Sequence, residues 1–251
     1  MNVDGGILQA FETTTVEENK VNFENTEVNT DINGIVVFKR STKYIKYLNL
    51  FCKRIMDIVG SLVGIVILIP LTVIVKIVNI LNKDYGPIFY SQERIGQYGN
   101  TFKMYKFRSM VIGAEEKLIQ LLETNEEARK EYMLYKKLKD DPRITPIGKV
   151  LRKTSLDEFP QFINVFKGEM SLVGPRAYLI SEKKDMGNKY QIIISHKPGI
   201  TGLWQVSGRS EVTFEERLEM DLEYHEKTNL LIDIKILLKT FNVVLKKDGA
   251  K

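Results

Sequence analysis

Ile58 to Val75 is an apolar run that no charged residue interrupts. Its length meets the criterion for a membrane helix, roughly 18 apolar residues or more. A core helix of a small domain seldom lacks a polar face over such a length. Pro70 sits inside the run. It removes a hydrogen bond to the Val66 carbonyl and crowds that turn, so a kink is expected there. Residues 55–69 would extend about 22 Å and 70–82 about 20 Å as helix. Neither arm alone crosses a hydrocarbon core of about 30 Å.

The flanks are basic on both sides. Lys39, Arg40, Lys43, Lys46, Lys53 and Arg54 precede the run; Lys76, Lys83, Arg94, Lys103, Lys106 and Arg108 follow it. The positive-inside tendency would keep both ends in the cytoplasm. From these residues a re-entrant and a spanning helix are both open. Three segments follow: an acidic N-terminal tail (1–45), a hydrophobic helix (46–84) and a soluble body (85–251).

Charge is divided along the chain. Residues 1–34 carry seven acids and one base, net −6, against +5 for the whole chain, so the remainder stands at +11. The tail reads as disordered or loosely attached, with a short strand at Gly34–Phe38. A basic body implies an anionic partner, whether nucleic acid, a phospholipid surface or a phosphorylated substrate. Cys52 is the one cysteine and His196 and His225 the two histidines. That excludes an internal disulfide and a cysteine zinc cluster, and argues against a His-based metal site or a Ser-His-Asp triad.

Within the body, Ile88-Phe89-Tyr90 reads as a strand and Glu93–Asn100, with two glycines, as a hairpin loop. Residues 114–139 read as one or two exposed helices. Residues 230–246 carry Leu230, Leu231, Ile234, Leu237, Leu238, Phe241, Val244 and Leu245 at helical spacing, with lysines on the other face. Such a helix either lies on an anionic membrane or packs on its own domain.

The chemistry concentrates around Arg152-Lys153-Thr154-Ser155-Leu156-Asp157-Glu158-Phe159-Pro160. Ser155 and Glu158 have capping-box spacing, and Asp157 is itself a fitting N-cap with Pro160 in the first turn. Capping alone would explain these residues. A helix over Glu158–Lys167 would place the pair at a helix start, where the macrodipole keeps a carboxylate ionised and attracts phosphate. Gly168 would end that helix. Met170–Val173 reads as a strand leading to Gly174-Pro175-Arg176. Lys106, Arg108, Arg152 and Lys153 add cations, and Pro198–Arg209 is a glycine-rich loop ending in Arg209. Carboxylates for Mg²⁺, arginine forks for phosphate and glycines for close approach to oxyanions make up the inventory a metal–diphosphate site needs. There is no P-loop motif.

Taken together these motifs resemble the bacterial sugar transferases that act on polyprenyl phosphate, the monotopic phosphoglycosyl transferases. The resemblance runs from about Lys53 to Val244. It rests on Lys53-Arg54-x-x-Asp57, Gln92-x-Arg94-x-Gly96, Tyr105–Met110, Ser155–Glu158, Asn164-Val165-x-x-Gly168 with Met170-Ser171-x-Val173-Gly174-Pro175-Arg176, and Pro198–Gly202. It implies a helix-rich α/β fold with a small sheet and a kinked, re-entrant helix turning at Pro70. It also implies residence on the cytoplasmic face of a bacterial cell membrane among anionic inner-leaflet lipids.

The implied reaction transfers a hexose 1-phosphate from a UDP-sugar to undecaprenyl phosphate, releasing UMP, at the start of exopolysaccharide, capsule or O-antigen assembly. Asp157 would be the nucleophile and Glu158 the ligand of Mg²⁺. Lys106, Arg108, Arg152, Pro175, Arg176 and Arg209 would bind substrate. UDP-galactose, UDP-glucose and N-acetylated sugars all suit as donors; a homodimer is compatible and nucleic acid has no role. Direct attack by the lipid phosphate, and a non-enzymatic basic scaffold at the membrane, are the competing readings. Two positions depart from the family pattern: Ile69 precedes Pro70 where serine is usual, and Ala177 follows Arg176 where proline is usual.

Overall fold

The computed structural model describes residues 26–30, 36–40, 42–207 and 212–246. The chain divides into two compact units, Met1–Leu48 and Asn49–Lys251. In the first, β1 (Thr26–Thr30) pairs antiparallel with β2 (Val36–Arg40). The strand expected at Gly34–Phe38 thus lies two residues later and has a partner inside the segment read as tail.

Helix α1 runs without a break from Thr42 to Leu81, Pro70 included. It begins four residues earlier than the expected 46–84 segment and ends three sooner. Its stretch Tyr47–Leu81 is long and apolar enough to cross a membrane. One face of α1 nevertheless packs on the second unit. Asp57, Ser61, Gly64, Leu68, Val75 and Asn79 are buried, spaced by three, four or seven residues. At about 1.5 Å per residue this contact extends about 33 Å.

The start of α1 is held by polar bonds. Lys53 Nζ donates to Asp233 (2.6 Å) and to the Val173 carbonyl (2.8 Å), and Arg54 reaches the Val165 and Phe166 carbonyls. Asp57 accepts from Ser171 Oγ (3.0 Å) and the Leu172 amide (2.8 Å). In the middle, a Cβ on Gly60 would stand 2.6 Å from Leu172, and one on Gly64 would strike the Phe162 ring. Toward the end, Leu68 and Val75 join Phe107 and Leu151 in a shared core with Ile163 and Phe159 around it. The opposite face stays apolar and exposed, through Val59, Val63, Val66, Ile69, Val73 and Ile77.

β3 (Phe89–Ile95) and β4 (Thr101–Phe107) form an antiparallel hairpin with Tyr90 opposite Lys106. The expected loop at Glu93–Asn100 is therefore shorter, because β3 continues to Ile95 and only residues 96–100 turn. Tyr98 and Gly99 take left-handed dihedrals there. Helices α2 (Ala114–Thr124) and α3 (Glu126–Tyr135) form the exposed pair, separated by the N-cap Asn125.

Then come α4 (Pro146–Lys153), α5 (Gln161–Lys167), β5 (Ser171–Val173), α6 (Tyr190–Ile193), β6 (Gly199–Thr201), α7 (Leu203–Ser207), α8 (Phe214–Lys227) and α9 (Leu230–Lys246). β5 and β6 are parallel neighbours. α9 packs on the body as one of its two readings had it, with Ile236 and Asp233 buried, while Leu231, Ile234, Leu238 and Phe241 line an exposed stripe.

The glycine-rich run after Pro198 is described as far as Ser207. It forms β6 and α7, and its glycines serve backbone packing: a Cβ on Gly199 or Gly202 would strike the backbone of Gly174. The strand that carries Pro175 and Arg176 outward is clamped by this contact.

Candidate active site

Asp157 and Glu158 lie in one turn of 3-10 helix, Leu156–Glu158, between α4 and α5. α5 starts at Gln161, so the expected helix over Glu158–Lys167 is three residues shorter at its start; Gly168 ends it in the left-handed conformation, as expected. The capping box does not form. Ser155 is itself left-handed (φ 57°) and its side chain caps nothing. A serine at positive φ is uncommon for a residue with a Cβ. Here it swings the chain so that Asp157 turns inward, 7% exposed.

Buried Asn164 sets the distance between this turn and the hairpin. Its side chain accepts from the Tyr105 amide (3.0 Å) and donates to the Lys103 carbonyl (2.7 Å). That locks α5 on β4 and brings Lys106 Nζ to 2.7 Å from Glu158 Oε1. Gln161, buried on the first turn of α5, also bonds the Glu158 carboxylate. Burial works against the ionised form of Glu158, but Lys106, Arg176 and Gln161 outweigh it and hold its pKa below the usual value. Asp157 goes the other way. Burial raises its pKa, Glu158 adds to the rise, and Lys106 and Arg152 oppose it. The helix start was expected to keep this carboxylate ionised; a single 3-10 turn has no macrodipole to compensate desolvation, and burial prevails.

The predicted cations divide into two groups. Lys106, Arg152 and Arg176 act on the pair: Arg152 is positioned by Ser109 Oγ (2.9 Å) and faces Asp157. The Arg176 guanidinium makes no hydrogen bond among the described residues, and its backbone amide is fixed by Asp221 Oδ2 (3.1 Å). Pro175 is buried beside it, with its carbonyl accepting from the Gly199 amide. Arg108 is used elsewhere, bonding Asp84 (2.7 Å) and the Pro87 carbonyl (2.7 Å) where the chain leaves α1. Arg209 lies outside the described residues. Pro70 is on the exposed face of α1. The histidines pair with each other, Nε2 of His196 to Nδ1 of His225 at 2.8 Å. Gln161, in the helix expected over Glu158–Lys167, and Ser109, in the Tyr105–Met110 motif, are uncharged and carry no sequence signal of their place at the site.

No cluster of three metal-ligating side chains occurs among the described residues. Two adjacent carboxylates still suit Mg²⁺, which usually takes one or two carboxylates and completes its shell with water and substrate phosphate.

A pair of adjacent carboxylates facing cations, on a helix-rich body with one long apolar helix, is a donor set suited to phosphorylated ligands. The match to known sequences is more specific. Residues 48–247 match the model of the family described as bacterial sugar transferase, and the chain belongs to that family. It is 46% identical over 219 residues to "Galactosyl transferase CpsE" of Streptococcus agalactiae, covering 87% of this chain and 47% of that one. It is 45% identical over 216 residues to "UDP-galactose-lipid carrier transferase" of Erwinia amylovora, covering 86% and 45%. It is 39% identical over 198 residues to "Exopolysaccharide production protein ExoY" of Sinorhizobium fredii, covering 79% and 87%. The chain thus spans about half the length of the first two and most of the third.

Proposed function

We propose that this protein transfers a hexose 1-phosphate from a UDP-sugar to undecaprenyl phosphate, through a phosphosugar carried on Asp157. The observation that carries this reading is the Asp157 carboxylate itself. It is buried, it faces Arg152 and Lys106, and among the described residues it bonds only its own backbone. A capping or structural carboxylate is consumed by its partners; this one keeps its lone pairs for something outside the chain.

In the first step an Asp157 oxygen attacks the phosphorus that bears the sugar. The bond from that phosphorus to the bridging oxygen breaks, and UMP leaves with the bridging oxygen and the electron pair. In the second, an oxygen of undecaprenyl phosphate attacks the same phosphorus and the acyl–phosphate bond breaks, restoring the carboxylate and giving the lipid diphosphosugar. Division into two displacements spares one direct encounter of two phosphate anions. Arg176 and Arg152 offset charge at phosphorus, and Lys106 holds Glu158 in place. Asp157 and Glu158 are the residues that would hold Mg²⁺, which would neutralise diphosphate oxygens as a Lewis acid.

The seating of α1 supports a monotopic arrangement on the cytoplasmic face. A helix held to one body from Lys53 to Val75 has no free length of about 30 Å with which to cross a bilayer away from it. Its outer apolar face then meets lipid. The assignment is tested by rapid quench with UDP-sugar labelled in the sugar phosphate. Label retained on the wild-type protein and absent from Asp157→Asn is expected; full UMP release by Asp157→Asn would end the nucleophile assignment. Cysteines at positions 46 and 84 should label from one side of the membrane.

A further inference from the structure

Behind Arg176 lies a second cationic cluster that the reaction above leaves unused. Arg94 (9% exposed, on β3) and Arg217 (3% exposed, on α8) both lie close enough to Arg176 to be disfavoured by its charge. The guanidinium carbons of Arg176 and Arg217 stand 5.6 and 5.5 Å from the centre of the Trp204 ring. Four buried N–H groups here have no acceptor among the described residues: Nε of Arg94, Arg176 and Arg217, and Nε1 of Trp204. Unpaired acceptors nearby are fewer, Oδ1 of Asp221 and Oε1 of Gln205. Buried donors of this kind normally find partners, and leaving one unmade costs about 1–3 kcal/mol.

Charge is as unbalanced as hydrogen bonding. Arg94 spends its terminal nitrogens on the Ala177 carbonyl (2.9 Å) and Gln92 (2.6 Å), and Arg217 on the Tyr135 and Val212 carbonyls. Neither has a carboxylate in salt-bridge contact among the described residues. Glu182 is committed to the Leu179 amide. Burial pushes Asp221 up to about 7, so it offers only part of a charge, and burial beside Arg176 brings Arg94 and Arg217 each down to about 10. A group with several acceptor oxygens and negative charge would complete both deficits.

We propose that Arg94, Arg217 and Trp204 join Arg176 in a subsite for the phosphate of the nucleotide, which retains UMP as it leaves Asp157. This rests on the transfer reaction proposed above. The nucleotide is favoured over the lipid phosphate by position. The cluster's bonds run to α3, β3 and the chain after Arg176, whereas α1, the element with the exposed apolar face, is bonded to β5, α5 and α9. The arginines reach the Glu158 end of the site: Arg94 and Arg176 both interact electrostatically with Glu158.

Trp204 is the one tryptophan in the chain, so its fluorescence reports on this place alone. The full-length protein in detergent micelles is titrated with UMP, uridine and decyl phosphate. Saturable change with UMP, and at least about 10-fold weaker response to uridine, is expected from charged hydrogen bonds of ordinary strength. Arg217→Met should weaken UMP by about 10-fold or more and leave uridine unchanged, a split that general loosening of the fold would not give. Arg217→Lys, which retains charge, should fall between, and Arg94→Met gives an independent reading should Arg217→Met not fold. UMP affinity unchanged in both methionine variants would overturn the subsite, as would a response to decyl phosphate and none to UMP. An Asp157→Asn protein that still binds UMP at this site but releases full UMP from UDP-sugar would sink the aspartyl reading and leave the subsite standing.

Discussion

Two places in this molecule bury carboxylates, and they use burial in opposite ways. At the root of α1, Asp57 accepts from Ser171 and Leu172, and Asp233 accepts from Lys53 and Tyr224, all between 2.6 and 3.0 Å. At the site, Asp157 has its own amide, and Glu158 has Lys106 and Gln161. The root acids are satisfied by groups from three different elements, so they act as fasteners between anchor and body. Asp157 bears the desolvation without the partners. A fold tolerates that where the missing partner is a substrate or an ion.

If that contrast holds, Asp157→Asn lowers UMP release by at least about 10⁴-fold without lowering the melting temperature, since it replaces a carboxylate that burial disfavours. Steady-state assay and a thermal melt on the same sample check both halves. Lys53→Met does the reverse at the root. It strands Asp233, 1% exposed, and should cost about 3–5 kcal/mol, measured by denaturant unfolding in micelles.

Asp221 gives a third test, through pH. Its folded pKa of about 7 stands above the ordinary 3.8, so the protonated form is the one the fold prefers. Its contribution is complete below about pH 4 and is lost as pH rises through about 7, up to about 4 kcal/mol in all. The stability of Asp221→Asn should therefore fall less than that of wild type between pH 4.5 and 7.5. Lys106→Met removes the cation that favours ionised Asp157. The acid limb of the pH–rate profile should move to higher pH, with kcat/KM at neutral pH down on the order of 10²-fold. Ser171→Ala removes one of two donors to Asp57 and should cost about 1 kcal/mol; a larger loss would mean the root is less redundant than it looks.

Much of this was legible in the chain. The apolar run, the exposed α2–α3 pair, the stop at Gly168 and the carboxylate pair all follow from period, composition and turn chemistry. What was hidden depends on contacts between distant residues. The packing stripe Asp57-Ser61-Gly64-Leu68 escapes notice because a run apolar on every side has no polar face to reveal its period. Ser155 has the side chain of a cap and the dihedral of a left-handed turn, and no local signal separates these. Glycines 174, 199 and 202 look like a phosphate loop, yet their absent side chains admit one strand to another. Arg108 and Arg176 are alike as sequence; only the fold gives Asp84 to the first guanidinium and, among the described residues, no hydrogen-bonding partner to the second. Arg217 and Trp204 lie far from Arg94 along the chain, and their convergence on Arg176 needs the tertiary structure.

If the proposed transfer to a carrier lipid at the membrane holds, the seam along α1 also bears on how the protein meets that second substrate. A catalytic body tethered by a flexible linker would sample a volume above the bilayer and find the carrier lipid by chance dips. A body riveted at its root, middle and end to a helix lying against lipid stays at one height and one tilt. Its encounters with the acceptor are collisions in a plane. The quantity that then governs turnover is carrier molecules per area of membrane, and diluting them with inert lipid should slow the protein even when their amount per litre is unchanged.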